Sequence, residues 1–64
     1  MQTITKVALD AMGGDNAPVE IVKGAVDAVL SRDDIKVFLV GQEDAVRDEL
    51  NKYEYPKEQI EIVD

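Results

Sequence analysis

Between Leu9 and Pro18 the chain reads Leu9-Asp10-Ala11-Met12-Gly13-Gly14-Asp15-Asn16-Ala17-Pro18, which gathers two carboxylates, a carboxamide and two adjacent glycines. Paired glycines carry no Cβ and tolerate positive φ, so the backbone can bend sharply and a ligand can approach its N–H groups. Proline suits the first turn of a helix because the N–H it lacks would have no intrahelical partner. The pattern predicts a strand-to-helix turn with the helix starting at Pro18 and Ala17 as its N-cap. Glu20 then falls three residues after the cap and supplies only the returning half of a capping box, since alanine offers no capping oxygen. First-turn amides without a side-chain acceptor attract an anion or a polar ligand, helped by the positive end of the helix dipole. The competing reading folds Asp15 or Asn16 over the turn as an Asx motif, and the two readings are compatible.

The candidate binding residues are therefore Asp10, Gly13, Gly14, Asp15 and Asn16. Asp10 and Asp15 could also offer oxygen to a divalent cation, but two carboxylates make too small a ligand set, and turn stabilisation is the stronger expectation. The turn is neither G-x-G-x-x-G nor G-x-x-x-x-G-K-[ST], so dinucleotide and nucleoside triphosphate binding lose their main support. No Lys or Arg lies between Val7 and Val22. Charge compensation for a bound phosphate must then come from backbone amides and from basic residues beyond Asp64.

The elements that would carry this turn follow from hydropathy. Ile4 to Leu9 contains the apolar run Val7-Ala8-Leu9, as in a buried parallel strand. From Pro18 to Leu30, Val22, Ala25, Val26 and Val29 recur at i, i+3, i+4, i+7, which is the stripe of an amphipathic helix. Gly24 inside it, with Ile21 and Ala28, predicts close approach of the helix to a sheet. After the polar turn Ser31-Arg32-Asp33-Asp34, the run Val37-Phe38-Leu39-Val40 predicts a second strand ending at Gly41. Glu43 to Lys52 reads as a second helix, Val46 and Leu50 inward, with i, i+4 pairs Glu43/Arg47 and Asp48/Lys52 on its surface. Tyr53 and Tyr55 are expected to pack as a lid over its end, and Ile60-Glu61-Ile62-Val63 to form a third strand near an edge.

The order β-α-β-α-β implies a parallel α/β sheet of Rossmann type, strands in the order three, two, one, with both helices on one face. The other face and the edge of the first strand are then bare, although Val7, Leu9, Phe38 and Val40 are apolar. An exposed patch of that kind is a liability. It predicts that residues 1–64 are the opening part of one larger α/β domain, the alternative being a small domain that dimerises through the bare face. In open parallel sheets ligands bind beyond the carboxyl ends of the strands, here Asp10 with the glycine turn, Gly41-Gln42 and Asp64.

Composition narrows the partners. A chain of 64 residues makes at most one small domain, burying about 60% of its unfolded surface. The formal net charge of −7 is spread along the chain, which argues against nucleic acid and against an anionic membrane surface for this stretch. There is no cysteine, so neither a disulfide framework nor a thiolate metal site can form. No run approaches the roughly 20 apolar residues of a membrane span, and the start lacks a signal-peptide pattern, so a soluble, intracellular segment is expected.

The run Val7-Ala8-Leu9-Asp10-Ala11-Met12-Gly13-Gly14-Asp15-Asn16-Ala17-Pro18, followed by Glu20-Ile21-Val22-Lys23-Gly24-Ala25, closely resembles the N-terminus of the bacterial phosphate acyltransferases, the phosphate:acyl-carrier-protein acyltransferases of phospholipid synthesis. Val40-Gly41 and Ile60-Glu61-Ile62-Val63 agree with that pattern more loosely, and Asp64 stands where the family often has histidine. The family is several times longer than this chain and similar in fold to the isocitrate and isopropylmalate dehydrogenases and to phosphotransacetylase. The resemblance implies transfer of a fatty acyl group from acyl-carrier protein to inorganic phosphate, giving acyl phosphate. It implies a cytoplasmic homodimer, in some members at the membrane surface, with no cofactor and no metal. Asp15 and Asn16 would then act in catalysis, and Asp10, Gly13 and Gly14 in binding phosphate or substrate. The alternative is a non-enzymatic α/β module whose glycine turn holds an anion.

Overall fold

The computed structural model describes residues 3–64. It has three strands, β1 (Thr5–Asp10), β2 (Ile35–Val40) and β3 (Ile60–Val63), and two helices, α1 (Val19–Ser31) and α2 (Glu43–Leu50), in the order β1-α1-β2-α2-β3. A single 3-10 turn at Lys57–Gln59 precedes β3. The sheet is parallel throughout, in the order β1-β2-β3, so β2 pairs on both sides. This is the expected Rossmann-type β-α-β-α-β unit.

One cluster forms the core. Val22, Ala25, Val26 and Val29 of α1, Val46 and Leu50 of α2, Val37 and Leu39 of β2 and Ile60 of β3 are all buried together with Ala11. Both helices therefore cover the same face, as the connection order requires. The α1 stripe predicted from the sequence is the buried set. Tyr53 and Tyr55 pack against this cluster half-buried, as a lid past the end of α2.

The register corrects which residues form the open face. Val7 pairs with Val37 and Leu9 with Leu39, so both lie on the helix side with their buried partners. Val7 is 36% exposed because β1 is an edge strand, while Leu9 still packs on the core. The face without helices carries Lys6, Ala8 and Asp10, then Lys36, Phe38 and Val40, then Glu61 and Val63. Lys36 crosses to Glu61 at 3.4 Å and lies over the Phe38 ring, which places charge on part of this face.

Three local expectations also change. Helix α1 begins at Val19, with Pro18 as the cap at φ −88°, ψ 2°, outside helical ψ. Lys52 pairs with Glu49 at 2.8 Å, three residues back, and not with Asp48. The reason is that α2 ends at Leu50 and the following amides bond three residues back, Lys52 to Glu49 and Tyr53 to Leu50, a tighter winding that aligns i with i+3. Gly24 is exposed, and a Cβ there would meet nothing within 4 Å, so it marks no close approach to the sheet.

At the amino ends of the strands, Gln59 Nε2 donates to the carbonyls of Arg32 at 2.8 Å and Ile35 at 2.9 Å, joining the turn before β3 to the start of β2. Beside it Arg32 grips Asp34 through two hydrogen bonds of 2.8 and 2.7 Å, which hold the Asp34 carboxyl below its ordinary range.

Alanine is a better helix former than glycine by about 1 kcal/mol, and the space at Gly24 is open. Gly24→Ala in the full-length protein should therefore raise stability by about 0.5–1 kcal/mol in chemical denaturation. A loss would mean that another part of the protein packs against this turn of α1.

Candidate functional site

The site is built by how β1 stops. Ala11 continues the ladder one step, its N–H donating to the Val40 carbonyl at 2.8 Å, and is fully buried. The chain then leaves the sheet. Asp10 Oδ1 accepts the Met12 N–H at 3.0 Å, and the Asp10 carbonyl accepts the Gly13 N–H at 3.4 Å. This is an Asx-type closure in which the strand's last residue folds its own side chain over the turn. Gly14 follows at φ +92°, a conformation that side chains rarely adopt. That single residue redirects the chain towards α1.

Asn16 and Pro18 join the turn to the helix through their backbones. The Asn16 carbonyl accepts the Glu20 N–H at 3.3 Å, and the Pro18 carbonyl accepts the Val22 N–H at 2.9 Å. No side chain caps α1. With Pro18 as cap, the third helical position is Ile21, so Glu20 cannot complete a capping box. The Asx motif expected of Asp15 or Asn16 is made by Asp10 instead, one turn earlier, and the Asp15 and Asn16 side chains are left exposed.

Gly13, Gly14, Asp15 and Asn16 line one cleft of about 330 Å³, completed by Ala17, Glu20 and Ile21. Four of the five candidate residues are thus brought together. Asp10 is set apart from the cleft wall, its carboxylate occupied by Met12 and lying 3.5 Å from where a Cβ on Gly13 would stand. Glu20 and Ile21 were not predicted as lining residues. Their signal was positional, since the first turn of a helix entered through a tight bend must face the bend.

The lining residues carry acidic side chains and no basic one. With the Gly13 N–H turned to the Asp10 carbonyl, what remains for an anion is the Gly14 N–H and the amino end of a helix without a side-chain cap. A larger cleft of about 750 Å³ lies at the opposite end of the sheet, between Val29–Asp34 and Gln59, where Arg32 and Asp34 already satisfy each other. Parallel sheets bind ligands at the carboxyl ends of their strands, which is the glycine end.

An open parallel sheet whose first strand runs through a glycine turn into an uncapped helix defines a Rossmann-like α/β unit. Residues 5–64 match the family described as fatty acid synthesis protein, and the chain belongs to that family. It is similar to the phosphate acyltransferase of Clostridium beijerinckii, with 49% identity over 59 residues that make up 92% of this chain and 18% of that protein. The phosphate acyltransferases of Alkaliphilus oremlandii and Dictyoglomus thermophilum are 50% and 53% identical over 58 residues, 91% of this chain and 17% of theirs. The chain therefore spans less than a fifth of the length of these relatives.

The two glycines of the turn should respond differently to a methyl group. Gly14→Ala meets no atom but is forced into positive φ, and should cost about 1–2 kcal/mol. Gly13→Ala meets Asp10 at ordinary contact distance without positive φ, and should stay within about 0.5 kcal/mol of wild type. Denaturant titration of the two full-length variants checks the difference.

Proposed function

We propose that this chain is the N-terminal part of an acyltransferase of lipid synthesis, which moves a fatty acyl group from acyl-carrier protein to inorganic phosphate and releases acyl phosphate. The observation that carries the reading is the cleft formed by Gly13, Gly14, Asp15 and Asn16 at the carboxyl end of β1, in a chain of this family. Names of relatives supply the acyl group and the phosphate.

The reaction asks little covalent chemistry of the protein. A phosphate oxygen attacks the thioester carbonyl carbon, a C–O bond forms, the C–S bond breaks, and the carrier thiolate leaves and takes up a proton. Phosphate is its own nucleophile. Catalysis then rests on holding phosphate against the thioester and on stabilising negative charge on the carbonyl oxygen. The Gly14 amide suits either task, because the missing side chains of Gly13 and Gly14 let an oxygen come within hydrogen-bond distance; the Gly13 N–H closes the turn onto the Asp10 carbonyl. The exposed Asp15 and Asn16 side chains orient groups at the cleft, and Asp10 holds the turn from below.

Asp15 and Glu20 make the cleft's own side-chain charge negative. Basic residues from the rest of the protein complete the phosphate site in this reading. The same reading has the protein acting as a cytoplasmic homodimer, with any membrane contact made outside this stretch.

In the full-length protein Gly14→Val should abolish acyl phosphate formation from acyl-carrier-protein thioester and inorganic phosphate. Asp15→Asn and Asn16→Ala should lower turnover with melting temperature retained, by up to the 100- to 1000-fold roughly expected for loss of one preorganised polar contact. Glu43→Ala, which breaks only an exposed pair with Arg47, serves as the control. Full activity in both the Asp15 and Asn16 variants would reduce the turn to a structural corner. If wild type shows no phosphate-dependent loss of thioester, an anion-binding module becomes the better account.

A further inference from the structure

The glycine turn is held in place by a contact outside it. A Cβ built on Gly41, just past the end of β2, would stand 2.8 Å from Met12 Cγ, 3.0 Å from Met12 Sδ and 3.4 Å from Ala11 Cβ. These neighbours belong to the two residues that connect β1 to Gly13. Backbone conformation does not require the glycine, because Gly14 is the only positive-φ residue among those described. Space does.

The surroundings leave little freedom. Gly41 is tied to β3 by its N–H, which donates to the Val63 carbonyl at 3.0 Å. Ala11 is fully buried and bonded to Val40, so it cannot retreat from an added methyl group. Met12 is tied at its backbone to Asp10 and lies across Gly41 with the middle of its side chain, not its flexible tip. Met12 is 37% exposed, so an added methyl group must either swing its side chain off Gly41 from the root or shift the backbone that leads into Gly13.

We propose that Gly41 is a positioning residue for the glycine turn: its bare Cα leaves the room in which Met12 lies, and filling that room pushes through Met12 on the backbone that carries the Gly13 and Gly14 amides. The effect on phosphate use rests on the function proposed above. The effect on the amides does not.

The test uses the full-length protein labelled with 15N-glycine, as wild type, Gly41→Ala, Met12→Ala and the double variant, with Gly24→Ala as a remote control. Gly41→Ala should shift the amide signals of Gly13 and Gly14. It should also raise KM for inorganic phosphate by on the order of 10- to 100-fold, more than it lowers kcat, as expected for misplaced binding groups. Adding Met12→Ala removes Cγ and Sδ, and should return most of both changes, a non-additivity that two independent sites would not show. Should Gly41→Ala alone fail to fold, the comparison of Met12→Ala with the double variant decides, the two sharing Gly13 and Gly14 signals if the clash runs through Met12. Unmoved signals in Gly41→Ala, or no recovery in the double variant, would overturn the proposal. Shifted and rescued signals in a protein without phosphate-dependent activity would uphold the positioning role and remove only the proposed reaction.

Discussion

Burial of Val37 and Leu39 under the two helices is the interaction on which everything else in this unit depends. β2 is the strand with a neighbour on each side, and its inward residues meet α1, α2 and β3 in one cluster. Leu39 is fully buried, with Leu9 and Ile62 beside it in register, so it fixes the height at which all three strands end. Removing a buried leucine of this kind typically costs about 2–5 kcal/mol. Because the strand ends are level, the turns after β1 and β2 lie side by side, and the Gly41–Met12 contact becomes possible.

The site this produces is unusual in what supplies it. Its lining side chains are acidic or neutral, so the donors it can offer an anion are main-chain N–H groups and the Asn16 carboxamide. Backbone donors cannot relax the way long side chains do, so their value lies in being aimed before a ligand arrives. Aim is set by packing: Asp10 closes the turn, Ala11 anchors it, Gly14 bends it and Met12 lies over its neighbour.

Long-period patterns were legible in the sequence. The Val22-Ala25-Val26-Val29 stripe, the run Val37 to Val40 and the alternation from Ile60 gave the elements, and their order gave a parallel sheet with both helices on one face. The turn was legible too, because Gly-Gly before a proline has few other uses. Details that depend on a one-residue phase were not. Which face Val7 and Leu9 occupy is a matter of register, and a strand's period of two makes a single step reverse the answer. Whether Asp10, Asp15 or Asn16 closes the turn depends on exact φ and ψ, since all three have the right chemistry. Gly24 and Gly41 illustrate the same limit: one glycine inside a helix suggested crowding and faces open space, while the crowded one stood at a strand end where it looked like ordinary punctuation.

The central place of β2 also bears on how the unit assembles as it is synthesised. Parallel neighbours cannot meet through a tight hairpin, so each pairing waits for a whole crossover helix to emerge. Here both crossovers involve the same strand, and each links elements adjacent in sequence. The first crossover therefore creates a surface, the far edge of β2 and the flank of α1, on which the second can form without rearranging the first. The order of synthesis lets the ends of β1 and β2, which carry the glycine turn and Gly41, meet first, and β3 then fixes Gly41 through the Val63 carbonyl.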